Sequence, residues 1–143
     1  DRLADGTFAT FVPYNVEKDN DGIFIAYNVD KSPYTLIGRG GTVKEAKADF
    51  LHSMQEVKAS EEEREGAAAP ILSASPVFKF DLSSLFEYYS MLNVSAFARY
   101  LGINETLMRQ YKKGNTYISD AQLQKIETGI HQLGADFLGL RLV

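Results

Sequence analysis

The chain has no cysteine and only two histidines among its 143 residues. The absence of cysteine excludes disulfides and thiolate metal sites, and His52 and His131 lack the spacing of a paired ligand motif. We therefore expect no metal and no cofactor. No apolar run approaches the ~20 residues that a membrane-spanning helix needs, and no signal-peptide pattern opens the chain. These absences favour a cytoplasmic protein that does not associate with membranes.

The excess of acidic side chains lies in the first part of the chain. Hydrophobic residues make up 45% of the sequence, which allows one compact domain or two small ones. The net charge is -4, and residues 1–80 hold 13 acidic against 9 basic side chains, whereas residues 81–143 hold six of each. The total argues against indiscriminate nucleic-acid binding, but the second part carries no acidic surplus that would oppose DNA.

Strand-like segments fill the first 37 residues. The stretches "TFATFVPYNV" and "GIFIAYNV" are rich in aromatic and β-branched residues, and "SPYTLIG" is a third segment of this kind. Between the first two lies "EKDNDG", whose Asp-Gly pair predicts a tight hairpin turn. A calcium loop is the alternative for Asp19, Asn20 and Asp21, but the later acidic positions of such a loop are missing. We predict antiparallel strands, joined later by "VFKFDL".

One amphipathic helix should cross this sheet. Thr42 and Glu45 have the spacing of a capping box, so the helix is predicted to begin at about Val43. Its apolar stripe has helical spacing and comprises Val43, Ala46, Phe50, Met54 and Val57. Ser84 with Glu87 and Ser119 with Gln122 predict two more helix starts in the C-terminal part.

The stretch "NVSAFARYLGINETLMRQYKKG" predicts two short helices joined by a tight turn. Asn93 and Asn104 are good N-caps, and Gly102 suits the left-handed residue that ends the first helix. The stretch resembles the helix-turn-helix of the lambda-repressor-like, or XRE, transcriptional regulators. The matching residues are Leu92, Phe97, Ala98, Leu101, Gly102, Ile103, Asn104, Tyr111 and Gly114, and "LQKIETGIHQLG" is similar to the following helix of that family.

The resemblance implies that the second helix enters the major groove of DNA. Glu105, Thr106, Arg109 and Gln110 would then face base edges, with Arg suited to guanine and Gln to adenine. Asn104, Lys112, Lys113 and Asn115 would contact the phosphate backbone. A helical pair that serves only packing, dimerisation or protein binding, without DNA, is the alternative.

The first part resembles the HicB-like antitoxins, whose fold is a degenerate RNase-H-like unit. The turn and helix start of that family are matched by Gly41, Thr42, Val43, Glu45 and Ala46. This resemblance implies a face that binds a small basic toxin, and the acidic surplus suits such a partner, although acidic surfaces also serve solubility. It further implies that the catalytic carboxylates are lost. We expect no enzymatic activity, because Asp19, Asp21, Asp30, Glu45 and Asp49 do not form a pattern that would gather metal ions.

These observations predict an α+β protein with two domains. Residues 1–80 form a HicB-like domain, a small antiparallel sheet with one packed helix, and residues 81–143 form an all-α helix-turn-helix bundle. The predicted function is sequence-specific DNA binding by a homodimer, as an antitoxin and autorepressor. The apolar tail "FLGLRLV" should be docked on another element or on a second subunit.

Overall fold

The computed structural model describes residues 11–29, 34–114 and 116–143. The protein has an α+β fold, and the chain separates into two compact units, residues 1–89 and 90–143. The predicted division between residues 80 and 81 falls earlier than this separation. The difference arises because a short helix that follows the fourth strand packs with the first unit.

The first unit contains a four-stranded mixed sheet. Its strands are β1 Phe11–Lys18, β2 Phe24–Asn28, β3 Ile37–Gly40 and β4 Ser75–Phe80, in the spatial order β3-β2-β1-β4. β2 pairs antiparallel with both β1 and β3, but β4 pairs parallel with β1. The prediction of an antiparallel sheet is therefore wrong for β4. The chain crosses over through a helix between β3 and β4, and such a crossover returns the chain in the same direction.

The turn between β1 and β2 is the predicted hairpin. Asp19 N donates to Ile23 O at 2.8 Å, and Gly22 N donates to Asp19 O at 3.1 Å. Gly22 has a φ of 83°, which glycine adopts at little cost. The Asp19 carboxylate accepts hydrogen bonds from the backbone N–H groups of Asp21 and Ile23, both at 2.9 Å. Asp19 is thus used to shape the turn.

Helix α1, Val43–Glu65, begins where the sequence predicts. Thr42 Oγ1 accepts a hydrogen bond from Glu45 N at 3.1 Å, whereas Glu45 Oε2 accepts from Gly41 N, one residue before the cap. The helix ends at Gly66, whose φ of 78° is left-handed. Four residues of the predicted stripe are buried in the core with the sheet residues, and the fifth is partly buried: Val43, Ala46, Phe50, Met54 and Val57.

Helix α2, Leu82–Tyr88, starts earlier than predicted. Asp81 caps it, and Asp81 Oδ1 accepts a hydrogen bond from Ser84 N at 2.8 Å. The predicted Ser84 and Glu87 capping box is therefore wrong. Ser84 is fully buried, and Glu87 Oε2 instead accepts from Val43 N at 2.9 Å, which ties α2 to the start of α1. A one-turn 3-10 helix, Pro70–Ser73, lies between α1 and β4.

The second unit is built from three helices with the predicted caps. They are α3 Val94–Leu101, α4 Glu105–Lys113 and α5 Asp120–Gly139. The side chains of Asn93, Asn104 and Ser119 accept hydrogen bonds from Ala96 N, Leu107 N and Gln122 N at 2.9, 2.9 and 3.2 Å. Gly102 and Gly114 end α3 and α4 in the left-handed conformation. The buried side chains are Phe97, Ala98, Leu101, Ile103, Met108, Tyr111 and Ile126.

The apolar tail lies outside this core. Phe137 and Leu138 belong to α5 and are 61% and 83% exposed, and Leu140 and Leu142 after the helix are also exposed. The tail is therefore not docked on the other helices of the second unit. α5 continues past the packed segment around Ile126, and its last turns are exposed in the second unit. Docking on a second subunit stays a prediction.

Candidate nucleic-acid interface

Helix α4 separates its apolar and polar residues cleanly. Met108 and Tyr111 are buried against the rest of the second unit. The outward face carries most of the residues predicted to touch DNA: Asn104, Thr106, Arg109, Gln110, Lys112 and Lys113 are exposed, and Glu105 is half-buried. Asn115, the last predicted contact, lies outside the described residues. A polar face thus runs along the nine-residue helix.

Arg109 is held at the middle of this face by two hydroxyl groups. Its Nη1 donates to Ser95 Oγ on α3 at 2.8 Å, and its Nη2 donates to Thr106 Oγ1 at 3.1 Å. Thr106 precedes Arg109 by three residues, so the two side chains meet on one side of the helix. Ser95 comes from the other helix. Arg109 is therefore fixed at the crossing of α3 and α4.

The carboxylate of Glu105 is paired with Arg99. Arg99 Nη1 donates to Glu105 Oε1, which links the last turn of α3 to the first turn of α4. Both side chains are partly exposed, so the pair adds little to the free energy of unfolding. Its effect is electrostatic, because the only acidic side chain on α3 and α4 is neutralised locally by a cation.

Gln110 lies beside Arg109 and is exposed. Among the described residues, no hydrogen bond engages its side-chain amide. An amide offers one acceptor and two donors in a plane, which is the pattern that pairs with the N6 and N7 edge of adenine. The side-chain amide of Gln110 is accordingly available to bind an external group.

Cationic groups flank the face. α3 and α4 carry four basic side chains, Arg99, Arg109, Lys112 and Lys113, against the single carboxylate of Glu105. Lys112 and Lys113 occupy the last turn of α4, where the helix dipole favours positive charge. The first amides of each helix have no intrahelical acceptor, so the starts of α3 and α4 can donate to phosphate oxygens.

Two residues of this arrangement are absent from the sequence prediction. Ser95 and Arg99 engage predicted contact residues from the neighbouring helix. Neither is marked by helical periodicity or capping, because both contacts join residues that the turn brings together. The family motif indicates that α3 and α4 cross, but it does not indicate which side chains meet.

Three of the five carboxylates considered for catalysis accept hydrogen bonds from backbone groups in the first unit. Asp49 Oδ2 accepts a hydrogen bond from Arg39 N at 2.9 Å, Glu45 accepts from Gly41 N, and Asp19 shapes the hairpin. Asp30 lies outside the described residues. Within the described ranges, no group of three or more His, Cys, Asp or Glu side chains converges in a way that would hold a metal ion.

β2 contains a tyrosine, Tyr27, whose pKa is raised. Tyr27 Oη donates to Glu17 Oε2 at 2.7 Å across the β1 and β2 pair. This hydrogen bond to Glu17, together with desolvation, raises the pKa of Tyr27 because both favour the neutral phenol. The contact stabilises the sheet of the first unit.

Comparison of the chain with protein-family models, with curated proteins and with solved structures returns no match. Among the described helices, none is both long and apolar enough to cross a membrane. A functional assignment therefore depends on the residues themselves, and the polar face of α4 is the feature with the most defined chemistry.

Proposed function

We propose that the protein is a sequence-specific DNA-binding transcriptional regulator that reads the major groove with α4. The observation that carries this proposal is the adjacent, exposed pair of Arg109 and Gln110 on a helix whose opposite side is buried. A short helix of this kind fits the major groove and presents a few side chains to base edges. α3 and α4 would act together as a helix-turn-helix of the XRE type.

Each residue predicted to contact DNA has a natural partner there. Arg109 suits guanine O6 and N7, and Gln110 suits adenine N6 and N7, with each bidentate pair worth ~1–3 kcal/mol of discrimination. Thr106 can contact a base or a thymine methyl, and Glu105 can accept from cytosine N4. Asn104, Lys112, Lys113 and Asn115 would contact phosphate oxygens, which supply affinity without reading sequence.

The regulator would act as a homodimer. A single α4 reaches only a few base pairs, and related motifs bind two half-sites about one helical turn apart. The exposed apolar residues at the end of α5 support this part of the proposal, because an uncovered cluster of this kind is typical of a contact with another chain.

The first unit would bind a small basic protein, as the resemblance to HicB-like antitoxins implies. Glu62, Glu63 and Glu65 are exposed at the end of α1, and they belong to the acidic surplus of residues 1–80. Opposite charge steers association and suppresses wrong partners. The protein would then be an antitoxin that also represses transcription.

Replacing the three acidic side chains at the end of α1 with Lys should slow binding of the partner, whereas Glu127→Lys in the second unit should not.

Selection from a random duplex pool at ~150 mM salt tests the DNA proposal, since nonspecific binding is weak at this ionic strength. The native chain should enrich a two-fold-symmetric site, and the Arg109→Ala/Gln110→Ala variant should lose that enrichment. A folded native chain that enriches no sequence would reject DNA reading and would favour a protein-binding role for the helices.

A further inference from the structure

The guanidinium of Arg109 is held by hydroxyl groups from two different helices. Ser95 Oγ on α3 accepts from Nη1 at 2.8 Å, and Thr106 Oγ1 on α4 accepts from Nη2 at 3.1 Å. Ser95 is 14 residues away in sequence and is half-buried at the start of α3. It is not among the residues predicted to contact DNA. Its hydroxyl is nevertheless the contact that fixes Arg109 relative to the neighbouring helix.

We propose that Ser95 is a positioning residue for guanine recognition, acting through Arg109, with Thr106 as the second support. This inference rests on the proposed function of α4. A guanidinium has five N–H donors, so two hydrogen bonds to hydroxyls leave three for an external acceptor. The two acceptors restrict the rotation of a long side chain before any ligand arrives, which lowers the entropy lost when that side chain binds.

The expected consequence is a change in selectivity. A correctly oriented guanidinium forms two parallel hydrogen bonds with guanine, and this geometry rejects other bases. A mobile guanidinium still attracts phosphate and any base with an acceptor, so it binds DNA but discriminates less. Removal of the Ser95 hydroxyl should therefore weaken binding to the preferred site more than binding to variants that lack the guanine.

The test measures the affinity of full-length protein for the selected duplex and for duplexes with the guanine opposite Arg109 replaced. Ser95→Ala should reduce discrimination at this one position by roughly three- to tenfold, the value of a typical hydrogen bond. Ser95→Thr keeps the hydroxyl and should restore discrimination. Ser90→Ala, at an exposed position of the second unit, is the matched control and should change nothing. Thermal melting confirms that all variants are folded.

A double-mutant cycle separates positioning from a direct contact. In an Arg109→Ala background, Ser95→Ala should have no further effect, because the group that it positions is gone. Equal loss of affinity for all sequences, or additive effects of the two substitutions, would overturn the inference and would indicate that Ser95 touches phosphate itself. A native chain that shows no sequence preference would instead reject the proposed function.

Discussion

Gly129 on α5 packs directly against Leu101 on α3. A Cβ placed at Gly129 would lie 1.9 Å from Leu101 Cδ2 and 3.4 Å from its Cγ. Leu101 is buried in the core of the second unit, so a Cβ at Gly129 would force its side chain out of the position in which it packs. The absence of a side chain at Gly129 therefore allows α5 to approach the helix that precedes the proposed DNA-reading helix.

Substitution of Gly129 by alanine should destabilise the second unit. Alanine is the better helix former, but displacement of Leu101 from a packed site outweighs this gain, and overpacking costs ~1–3 kcal/mol. We expect a lower free energy of unfolding for Gly129→Ala in denaturant titration. Gly134→Ala, also on α5 and with nothing within 4 Å of its Cβ, should instead raise the stability. Equal effects of the two substitutions would refute the packing argument.

The hydrogen bond between Tyr27 and Glu17 makes the stability of the protein depend on pH in the alkaline range. The folded state raises the pKa of Tyr27, so its proton is held more tightly than in the unfolded chain, where a tyrosine ionises near pH ~10. The stabilisation of the folded state by this hydrogen bond is fully present below the pKa that Tyr27 has in the unfolded chain. It is lost as the pH rises through the pKa that Tyr27 has in the folded protein. Tyr27→Phe should remove this loss. Tyr117→Phe, at an exposed position, should retain the alkaline dependence of the native chain.

Lys113 should contribute affinity for DNA without contributing sequence preference. It is exposed in the last turn of α4 and is predicted to contact phosphate. Lys113→Ala should weaken binding to all duplexes alike and reduce the slope of log affinity against log salt by about 1. Lys44→Ala, exposed on α1, is the control and should leave the slope unchanged. A changed base preference in the Lys113→Ala variant would show that Lys113 reads sequence.

The end of α5 should hold two copies of the chain together. Phe137 and Leu140 are exposed apolar residues in this segment. Replacing both with Gln should shift the protein from dimer to monomer in analytical ultracentrifugation and weaken binding to the two-fold-symmetric site, because each half-site would then be bound separately. Met91→Gln, also at an exposed apolar residue of the second unit, should leave the dimer intact. A native chain that sediments as a monomer at all concentrations would contradict this prediction.

Local signals in the sequence predicted much of the fold. The sequence predicts four helix caps, and each accepts the expected backbone hydrogen bond: Thr42, Asn93, Asn104 and Ser119. These interactions involve residues three apart, so the spacing alone indicates them. The capping box predicted for Ser84 was wrong because Asp81 offers a competing cap, and burial of the residues that follow favours the earlier start.

Contacts between distant segments were not predictable in the same way. The parallel pairing of β4 with β1 depends on the path of the chain through α1. The contact between Ser95 and Arg109 depends on how α3 and α4 cross, and the family resemblance indicates the crossing without identifying the pair. The exposure of Phe137 depends on where α5 extends past the core. Each of these features is set by tertiary geometry, which periodicity and spacing do not encode.

Whether α4 reads base edges can be measured as the ratio of affinities for the selected duplex and a scrambled duplex at ~150 mM salt. For the native chain we expect a ratio of at least ~10³, as specific DNA-binding proteins show. For Arg109→Ala/Gln110→Ala the ratio should fall towards one while the protein remains folded. A ratio near one for the native chain, or a high ratio that survives the double substitution, would contradict the assignment of sequence reading to α4.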